Sequence, residues 1–450
     1  MPNASTNDAR EERYTLTPLT NLDNARMSTP RDAGEASIAA RRRVEHVRRA
    51  LASTSTSTSV TTRPSANSTV VVVGEDDADE RRRRRRLVVV FGGAVMDVHA
   101  RANGRASLAR GTSVVGRVAS AAGGVGMNAA TACAEASRAT GVDVGFVSAV
   151  GDDAAGRALR ESWARRVGGR GGDRGVRVVR GSRTATVVGV LDGEGELAAC
   201  VADVECVETG VDAVWCEGFA MDVREAAVVV LDANLGREAI ATVCDMCSSA
   251  GTALWYEPVS VEKSTRILSG NSARPMASVS YCSPNAAELR ELANGIRRTW
   301  AKGSPMSPCP FNPEFEFETA SDALNAMASD ISTLLAAGVE NVILTLGPLG
   351  VIVSSAPDGD ISRATHVHVP AVPTRVVSLV GAGDALVGGT VAALAAGSSL
   401  IAAVSRGTAC ASLACESSRA TLDVIDEAAL EARATNAYNG VSLLQPAVVQ

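Results

Sequence analysis

Val377-Ser378-Leu379-Val380-Gly381-Ala382-Gly383-Asp384-Ala385-Leu386-Val387-Gly388-Gly389 reads as a turn of small residues that runs directly into a helix. After Asp384, small and apolar side chains continue to Ala396 without a Pro or a charged residue, which favours one uninterrupted helix. A helix N-terminus carries unpaired backbone N–H groups and a partial positive charge, so it favours a bound anion. Gly381, Ala382 and Gly383 place little side-chain bulk there, and we predict that they form an anion hole.

Asp384 falls in the first turn of this predicted helix, beside the anion site. A carboxylate in that place can take the proton of a hydroxyl group that attacks a phosphoryl group. The neighbouring amides can stabilise the charge that develops on the transferred oxygens. The tetrapeptide by itself also fits an ordinary tight turn with an acidic first-turn residue, so the rest of the chain has to decide between the two interpretations.

The charge of the chain is unevenly distributed. The net charge is −6 over 450 residues, but residues 1–86 hold 16 Lys and Arg against 12 Asp and Glu, a net charge of +4. The remainder is acidic, which argues against a nucleic-acid-binding surface on the folded part. The length suits one large α/β domain with a tail, or two to three ordinary domains.

Cysteine usage and hydropathy predict a soluble protein in a reducing compartment, with no membrane partner. The ten Cys have no regular spacing, and we find neither a signal-peptide core nor a run of 18 apolar residues. Cys244 and Cys247 form a single Cys-x-x-Cys within a predicted helix, 237–248. Because no second Cys or His pair accompanies them, buried thiols are favoured over a metal or redox site.

Residues 1–86 are predicted to be a disordered, basic, Ser/Thr-rich extension, since they hold few large apolar groups. We expect a cytoplasmic protein. The alternative is an organelle, either a mitochondrion or a plastid, because residues 39–50 could form a basic amphipathic helix ahead of the Ser/Thr tract 53–59, as in a transit peptide. Acidic residues near the N-terminus count against a transit peptide. The charged stretch 75–86 fits a solvated linker, with nuclear targeting or RNA contact as alternatives.

Strand-length apolar runs alternate with helical patterns through most of the chain. Leu87–Phe91 is a continuous apolar run that ends in two glycines, as expected for a buried parallel strand. Further runs at 228–231, 253–256 and 342–346 predict an α/β fold with a doubly wound, mostly parallel sheet and flanking helices. Residues 184–201 alternate around Asp-Gly-Glu-Gly, which predicts a hairpin.

Polar residues near these strand ends are candidates for ligand contacts. Asp97 follows the first strand, where open α/β sheets bind ligands, although a turn or N-cap role is equally compatible. Gly123 and Gly124 allow close backbone approach, and Asn128 offers both a donor and an acceptor to a polyol. The cluster does not satisfy the dinucleotide fingerprint, and no P-loop motif occurs in the chain.

In this order, the motifs between about Leu87 and Leu430 resemble the PfkB (ribokinase-like) carbohydrate kinase family. The resemblance implies that Asp384 is the catalytic base and that Gly381, Ala382 and Gly383 hold the γ-phosphoryl group. It also implies contacts to the sugar hydroxyls from four residues: Asp97, Gly123, Gly124 and Asn128. In this family a small β lid covers the sugar, here from about 98–118 and 184–201.

The resemblance also implies ATP and Mg²⁺ as cofactors. Asn285 and Glu288 match the Asn-x-x-Glu of the family, which organises magnesium indirectly together with phosphate; the same spacing fits a helix capping box. Thr345 and Gly347 match the nucleotide strand and are expected to contact ATP. Ser378-Leu379 stands where the family has Asp-Thr, which counts against a family-type monovalent-cation site.

Within the family, four stretches are most similar to pseudouridine kinases: 91–97, 111–126, 257–264 and 378–387. The resemblance implies ATP-dependent phosphorylation of the ribose 5-hydroxyl of pseudouridine. The kinase domain is expected at 87–435, followed by a tail at 436–450. The alternatives are another sugar or nucleoside kinase of the family, or a catalytically silent member that acts as a scaffold. The expected partner is a small nucleoside or sugar, nucleic acid is not expected, and a homodimer is left open.

Overall fold

A central sheet of ten strands carries the fold, in the order β14-β13-β12-β11-β10-β9-β8-β1-β4-β5. The computed structural model describes residues 86–446, with gaps at 104–110, 167–171, 194–196, 269–275, 301–314, 357–358, 418, 421 and 423. The predicted N-terminal extension therefore lies outside the described residues, apart from Arg86. The strands are β1 Leu87–Phe91, β2 Val95–Ala102, β3 Gly116–Gly123, β4 Asp143–Gly151, β5 Val176–Val179, β6 Thr186–Leu191, β7 Leu197–Asp203, β8 Val228–Asp232, β9 Ala253–Glu257, β10 Tyr281–Cys282, β11 Asn341–Thr345, β12 Val351–Ser355, β13 Thr365–Val369 and β14 Ser442–Leu444.

Helices cover both faces of this sheet. They are α1 Val125–Ala136, α2 Ala154–Arg166, α3 Glu205–Gly210, α4 Ala213–Glu217, α5 Ala220–Glu225, α6 Arg237–Ala250, α7 Val261–Ser264, α8 Ala286–Trp300, α9 Ala320–Ala336, α10 Ala382–Ala395, α11 Leu400–Cys415 and α12 Glu427–Asn439. Two buried apolar clusters, one on each side of the sheet, form the core. None of the helices in the described ranges has the length and apolar character that a membrane crossing requires.

The strands from β5 across to β11 are parallel, and β12, β13 and β14 add an antiparallel edge. The predicted doubly wound, mostly parallel sheet is thus confirmed. β1 lies between β4 and β8, so the chain that follows β1 first adds β4 on one side of it and later adds β8 on the other side. Such a switch point opens a crevice at the carboxyl ends of the strands, where ligands bind in this kind of sheet.

A second sheet of four strands, in the order β3-β2-β6-β7, forms the predicted small β element. Its strands extend somewhat beyond the predicted ranges of 98–118 and 184–201. In particular, Asp97 lies inside β2, because only Gly92, Gly93 and Ala94 separate β1 from the next strand. The sequence prediction had placed it just beyond the end of the first strand, with a turn or N-cap role as the alternative.

The domain boundary predicted at residue 435 is wrong. Helix α12 continues to Asn439, and β14 then pairs antiparallel with β13 through Leu443 and Val367. A strand of three residues gives too short an apolar pattern to be recognised, since its place is fixed by pairing with a distant edge strand. Folded structure in this region therefore reaches at least Leu444.

Helices α1, α10 and α11 approach one another closely because small residues line their contacts. A Cβ atom built on Gly388 of α10 would lie 2.5 Å from the Ala129 carbonyl oxygen of α1. On the other side, a Cβ atom on Gly389 would lie 2.5 Å from the Cys410 sulfur of α11. The small residues in the sequence from 385 to 396 thus allow α10, which carries Asp384, to sit directly against both neighbours.

We predict that Gly388→Ala lowers the free energy of unfolding by about 1 to 3 kcal/mol, because the added methyl group meets backbone rather than a movable side chain. Urea denaturation measures this change. Gly145→Ala is the matched control, since a Cβ atom there would make only ordinary contacts of 3.8 Å or more. The control is expected to leave stability unchanged or raise it by about 0.5 kcal/mol; equal losses in both variants would contradict close helix packing as the cause.

Candidate active site

The N-terminus of α10 opens into the crevice at the end of β1. Gly381 caps the helix with a φ of 83°, and a Cβ atom on it would lie 2.0 Å from the Ala420 carbonyl oxygen, so only glycine fits. Gly383 has open space where a side chain would be. Of the three predicted anion-hole amides, that of Ala382 makes a long hydrogen bond, 3.3 Å, to the Leu379 carbonyl. The amide environment is thus that of a helix N-terminus open to an anion.

Asp384 meets Asn128 of α1 across this crevice. Asn128 Nδ2 donates a hydrogen bond of 2.8 Å to Asp384 Oδ2. Burial raises the pKa of Asp384 to about 7, and the charges of Asp232 and Asp97 add to the rise, while the bond from Asn128 opposes it. A carboxyl group with this pKa can exchange a proton near neutral pH.

The amide oxygen of Asn128, Oδ1, makes no hydrogen bond within the described part of the chain. Asn128 is 5% exposed, and its Oδ1 is buried without a hydrogen-bond partner in the described part of the chain. A buried acceptor without a donor is costly, so such an atom in a native site points to a ligand or an ordered water. Oδ1 is therefore placed to accept a hydrogen bond from a hydroxyl group.

Asp97 and the Gly123-Gly124 pair are brought together as the sequence predicted. A Cβ atom on Gly123 would lie 1.9 Å from Asp97 Oδ2, so the carboxylate occupies the space that a side chain would need. Gly124 adopts a φ of 92° at the start of α1, and a Cβ atom on it would lie 2.6 Å from the Gly93 carbonyl oxygen. Burial raises the pKa of Asp97, and nearby His99 lowers it.

Asp232 is a site residue that sequence reasoning missed. It ends β8 with its side chain fully buried, and it accepts hydrogen bonds of 2.9 Å each from the Gly93 and Asn234 amides. A Cβ atom on Gly92 would lie 2.3 Å from its Oδ2. Burial raises its pKa and the two amides lower it. The acidic residue at the end of a predicted strand was the available signal, the same one that selected Asp97.

Glu257 at the end of β9 and Glu288 in the first turn of α8 form an acidic pair. Ser283 Oγ donates to Glu257 Oε2 at 2.5 Å and accepts from Trp255 Nε1 at 2.7 Å. Burial, followed by the charge of Glu288, holds the pKa of Glu257 well above its usual range. Glu257 was also missed, because it was interpreted only as the end of a strand.

Asn285 and Glu288 form the capping box that their spacing allowed. The Asn285 amide donates to Glu288 Oε2, and the Glu288 amide donates to Asn285 Oδ1, both at 2.9 Å. Asn285 also bridges to Thr345 at the end of β11. Beyond it, Gly347 is exposed, with a φ of 55° and open space around its Cα. The three predicted ATP-contacting residues therefore lie on neighbouring strand ends.

Cys244 and Cys247 lie on α6, away from these strand ends. Cys247 is fully buried and Cys244 half-buried on α6, and burial raises the pKa of the Cys244 thiol to about 11. No group of three or more His, Cys, Asp or Glu side chains in the described ranges is arranged to hold a metal ion.

Comparison with known proteins identifies the family to which the chain belongs. The profile of the pfkB family carbohydrate kinases matches residues 85–427. The chain belongs to this family. It is 29% identical to a pseudouridine kinase of Arabidopsis thaliana over 388 residues, 78% of this chain and 97% of the relative. It is 25% identical to a pseudouridine kinase of Escherichia coli (strain K12) over 317 residues, 68% and 84% of the two chains.

Solved structures share the PfkB fold with this chain. The Arabidopsis thaliana ribokinase complexed with ribose and ATP aligns with a TM-score of 0.60 at 20% identity, over 77% of this chain and 98% of that one. A Thermotoga maritima ribokinase aligns with a TM-score of 0.58 at 19% identity, over 78% and 99%. The protein is therefore a phosphotransferase with a hydroxyl acceptor and a ribokinase-like fold.

The ionised carboxylate of Asp384 is the form that can accept a proton, so activity should be lost as the pH falls through its pKa. We predict that kcat/KM reaches a plateau above about pH 7 and declines below it. In Asn128→Ala the bond that lowers this pKa is absent, so the acid limb should move to higher pH. A pH–rate profile of both proteins measures the shift.

Thr131→Val is the matched control for this profile. Thr131 lies three residues after Asn128 on the same helix and also has a buried hydroxyl without a partner in the described chain, but it makes no contact with Asp384. Its acid limb should coincide with that of the unmodified protein. A profile of Asn128→Ala superimposable on the control would contradict the assignment of the limb to Asp384.

The raised pKa of Asp384 also destabilises the folded state at neutral pH. The penalty is absent below the ordinary pKa of an aspartate, grows as the pH rises and is complete above about 7. Asp384→Asn should therefore raise the Tm more at pH 8 than at pH 4, by scanning calorimetry. The exposed Asp143→Asn is the control, and an equal pH dependence in both variants would contradict the burial of a charge at Asp384.

Proposed function

We propose that this PfkB kinase transfers the γ-phosphoryl group of ATP to the ribose 5-hydroxyl of pseudouridine, giving pseudouridine 5′-phosphate. The observation that carries the proposal is the Asn128–Asp384 pair, in which a carboxylate with a pKa near 7 lies beside an unpaired, buried acceptor atom. A hydroxyl group that donates to this pair faces a base and an anion site at once. The choice of pseudouridine is supported by two relatives named pseudouridine kinase.

Asp384 takes the proton of the attacking hydroxyl as the new O–P bond forms. Its raised pKa makes it a stronger base than an ordinary aspartate while leaving it ionised in slightly alkaline solution. The N-terminus of α10 faces the transferred group, and its amides and dipole stabilise the charge on the phosphoryl oxygens. Positioning and electrostatics thus supply the catalysis, as phosphoryl transfer requires.

The acceptor is held by groups from the first third of the chain. Asp97 accepts from sugar hydroxyls, and Asn128 offers its free Oδ1. Gly123 and Gly124 let the sugar approach the backbone, since neither carries a side chain. The four-stranded sheet that contains Asp97 covers this side of the crevice and excludes water, which would otherwise compete as the acceptor.

ATP and Mg²⁺ fit the opposite side. Gly347 and Gly383 leave open backbone for a nucleotide, beside Asn285 and Thr345. Burial and the charge of Glu288 make ionisation of Glu257 costly, and a divalent cation near the pair would relieve this cost. Bound there, Mg²⁺ would neutralise charge on the phosphate oxygens. Because Glu288 is engaged in the capping box with Asn285, we propose that Glu288 acts on the metal indirectly.

A second candidate is a ribokinase-like activity on free ribose. The same Asp97 and Asn128 groups would hold the hydroxyls of any pentofuranose, and the ribokinase of Arabidopsis thaliana complexed with ribose shares the fold. A silent scaffold is less well supported, because Asp384, Asn128 and the open helix N-terminus are all in place.

We predict that the purified full chain consumes ATP with pseudouridine faster than with uridine, adenosine or ribose, and that Asp384→Asn lowers kcat by about 10² to 10⁴. Asn has the size of Asp and can still accept from Asn128, so acceptor binding should persist. A coupled ADP assay measures turnover and calorimetry measures binding. Equal turnover of ribose and pseudouridine would remove the pseudouridine assignment.

Asp143→Asn serves as the control in the same assay, because it makes the same chemical change at an exposed strand end. Its turnover should match that of the unmodified protein. Full activity in Asp384→Asn would contradict the mechanism, since an amide cannot accept the hydroxyl proton.

A further inference from the structure

The basic residues of this chain are almost exclusively arginine. Of its 44 Lys and Arg residues, Lys263 and Lys302 are the two lysines, and Lys302 lies outside the described residues. Lysine and arginine are not interchangeable where a compact cation must meet one acceptor. A lysine in a chain that otherwise uses arginine therefore marks a place where an ammonium group itself is needed.

Lys263 makes a specific contact. It lies half-buried on the short helix α7, and its Nζ donates a hydrogen bond of 2.7 Å to Asn234 Oδ1. An ammonium group can only donate, so it must face the oxygen of the amide. This fixes the orientation of the Asn234 side chain, whose Nδ2 is then directed to the Gly93 side, 3.5 Å from where a Cβ atom on Gly93 would lie.

Asn234 connects this contact to the acceptor site. Its own amide donates to Asp232 Oδ1, and the Gly93 amide donates to Asp232 Oδ2, both at 2.9 Å. The Gly93 carbonyl in turn accepts from the Met127 amide at 3.1 Å, next to Asn128. The turn that contains Gly93 leads into β2 and thus to Asp97. Hydrogen bonds therefore connect Lys263 through Asn234, Asp232 and Gly93 to α1, and the backbone of the Gly93 turn continues from there into β2.

We propose that Lys263 is a positioning residue of the acceptor site: by fixing Asn234 and supporting the buried carboxylate of Asp232, it sets the turn at Gly93 that places Asp97 and Asn128. The proposal rests on the proposed function in taking Asp97 and Asn128 as the groups that bind the acceptor. It assigns Lys263 no contact with the reacting atoms. Its loss should weaken acceptor binding and leave ATP binding intact.

The surroundings explain why arginine does not serve here. Arg266, one turn away, already donates to the carbonyl oxygens of Ala233, Asn234 and Leu235 and pairs with Glu208 at 3.2 Å. A second guanidinium group at position 263 would bring a broad fork of donors to a half-buried place that offers Asn234 Oδ1. The ammonium group of Lys263 makes one short bond, to Asn234, and its positive charge lowers the pKa of the Asp232 carboxyl group.

The test compares Lys263→Met and Lys263→Arg in the full chain, with whichever compound among pseudouridine, uridine, adenosine and ribose is turned over. We expect both variants to raise KM for the acceptor about tenfold, the usual effect of losing a hydrogen bond to a charged group, while KM for ATP stays within about twofold. Arg237→Met is the control, because Arg237 is a nearby cation bonded to the Thr265 and Arg266 carbonyls. It should leave both KM values unchanged.

Chemical rescue separates a positioning role from a general loss of structure. Ethylammonium added to Lys263→Ala should restore the acceptor KM towards that of the unmodified protein, whereas tetramethylammonium, which has no N–H donor, should not. Wild-type kinetics in Lys263→Arg, or equal losses for ATP and acceptor, would overturn the proposal. If only ribose is turned over, the pseudouridine assignment fails but the Lys263 comparison is made with ribose.

Asn234→Leu keeps the proposal falsifiable if the Lys263 variants fold poorly. Leucine has a similar size but no acceptor for the Lys263 ammonium group, while the backbone amide that donates to Asp232 is retained. We expect the same rise in acceptor KM. An unchanged acceptor KM in this variant would overturn the proposed chain of contacts.

Discussion

The hydrogen bond between Asn128 and Asp384 connects an early and a late part of the folded chain at the candidate active site. Asn128 and Asp384 are 256 residues apart, yet they meet at 2.8 Å because α1 and α10 pack through small residues. The bond holds the carboxylate at the mouth of a helix and fixes which end of the Asn128 amide is left for a ligand. The proposed base and the proposed acceptor site are therefore parts of one contact, and displacement of either helix would disturb both.

The turn after β1 supports the contact between Asn128 and Asp384. Gly92 and Gly93 let the Asp232 carboxylate come so close that any side chain would collide with it. Burial makes the charge on Asp232 costly, and the protein offsets that cost with two backbone amides and the cation at Lys263. The negative charges of Asp232 and Asp97 then raise the pKa of Asp384. The same residues that shape the proposed acceptor site thus also raise the pKa of the proposed base.

The sequence was informative where local chemistry decides the structure. The apolar run Leu87–Phe91 predicted a buried strand, and the small residues at 381–383 followed by an unbroken apolar stretch predicted the start of a helix; both are found in the structure. It was less informative where distant pairing decides. β14 exists because β13 offers an unpaired edge, and Asp97 lies in a strand because β2 pairs with β3 and β6.

Asp232 and Lys263 were overlooked for the same reason. Each is an ordinary polar residue at a strand or helix end, and only the crossing of β8, α7 and the turn at Gly93 gives it a role. The capping box at Asn285 and Glu288 illustrates the opposite case, since one spacing served both interpretations and the geometry shows the local one. Local motifs were enough to select Asp384 as a candidate base, whereas the groups that surround it were recognised only from the fold.

A crystal structure of the protein with pseudouridine and a non-hydrolysable ATP analogue would test the central claim most directly. The account predicts the ribose 5-hydroxyl within hydrogen-bonding distance of Asp384, another sugar hydroxyl donating to Asn128 Oδ1, and the γ-phosphoryl group at the N-terminus of α10. A nucleoside bound with its hydroxyl groups turned away from both side chains would contradict it.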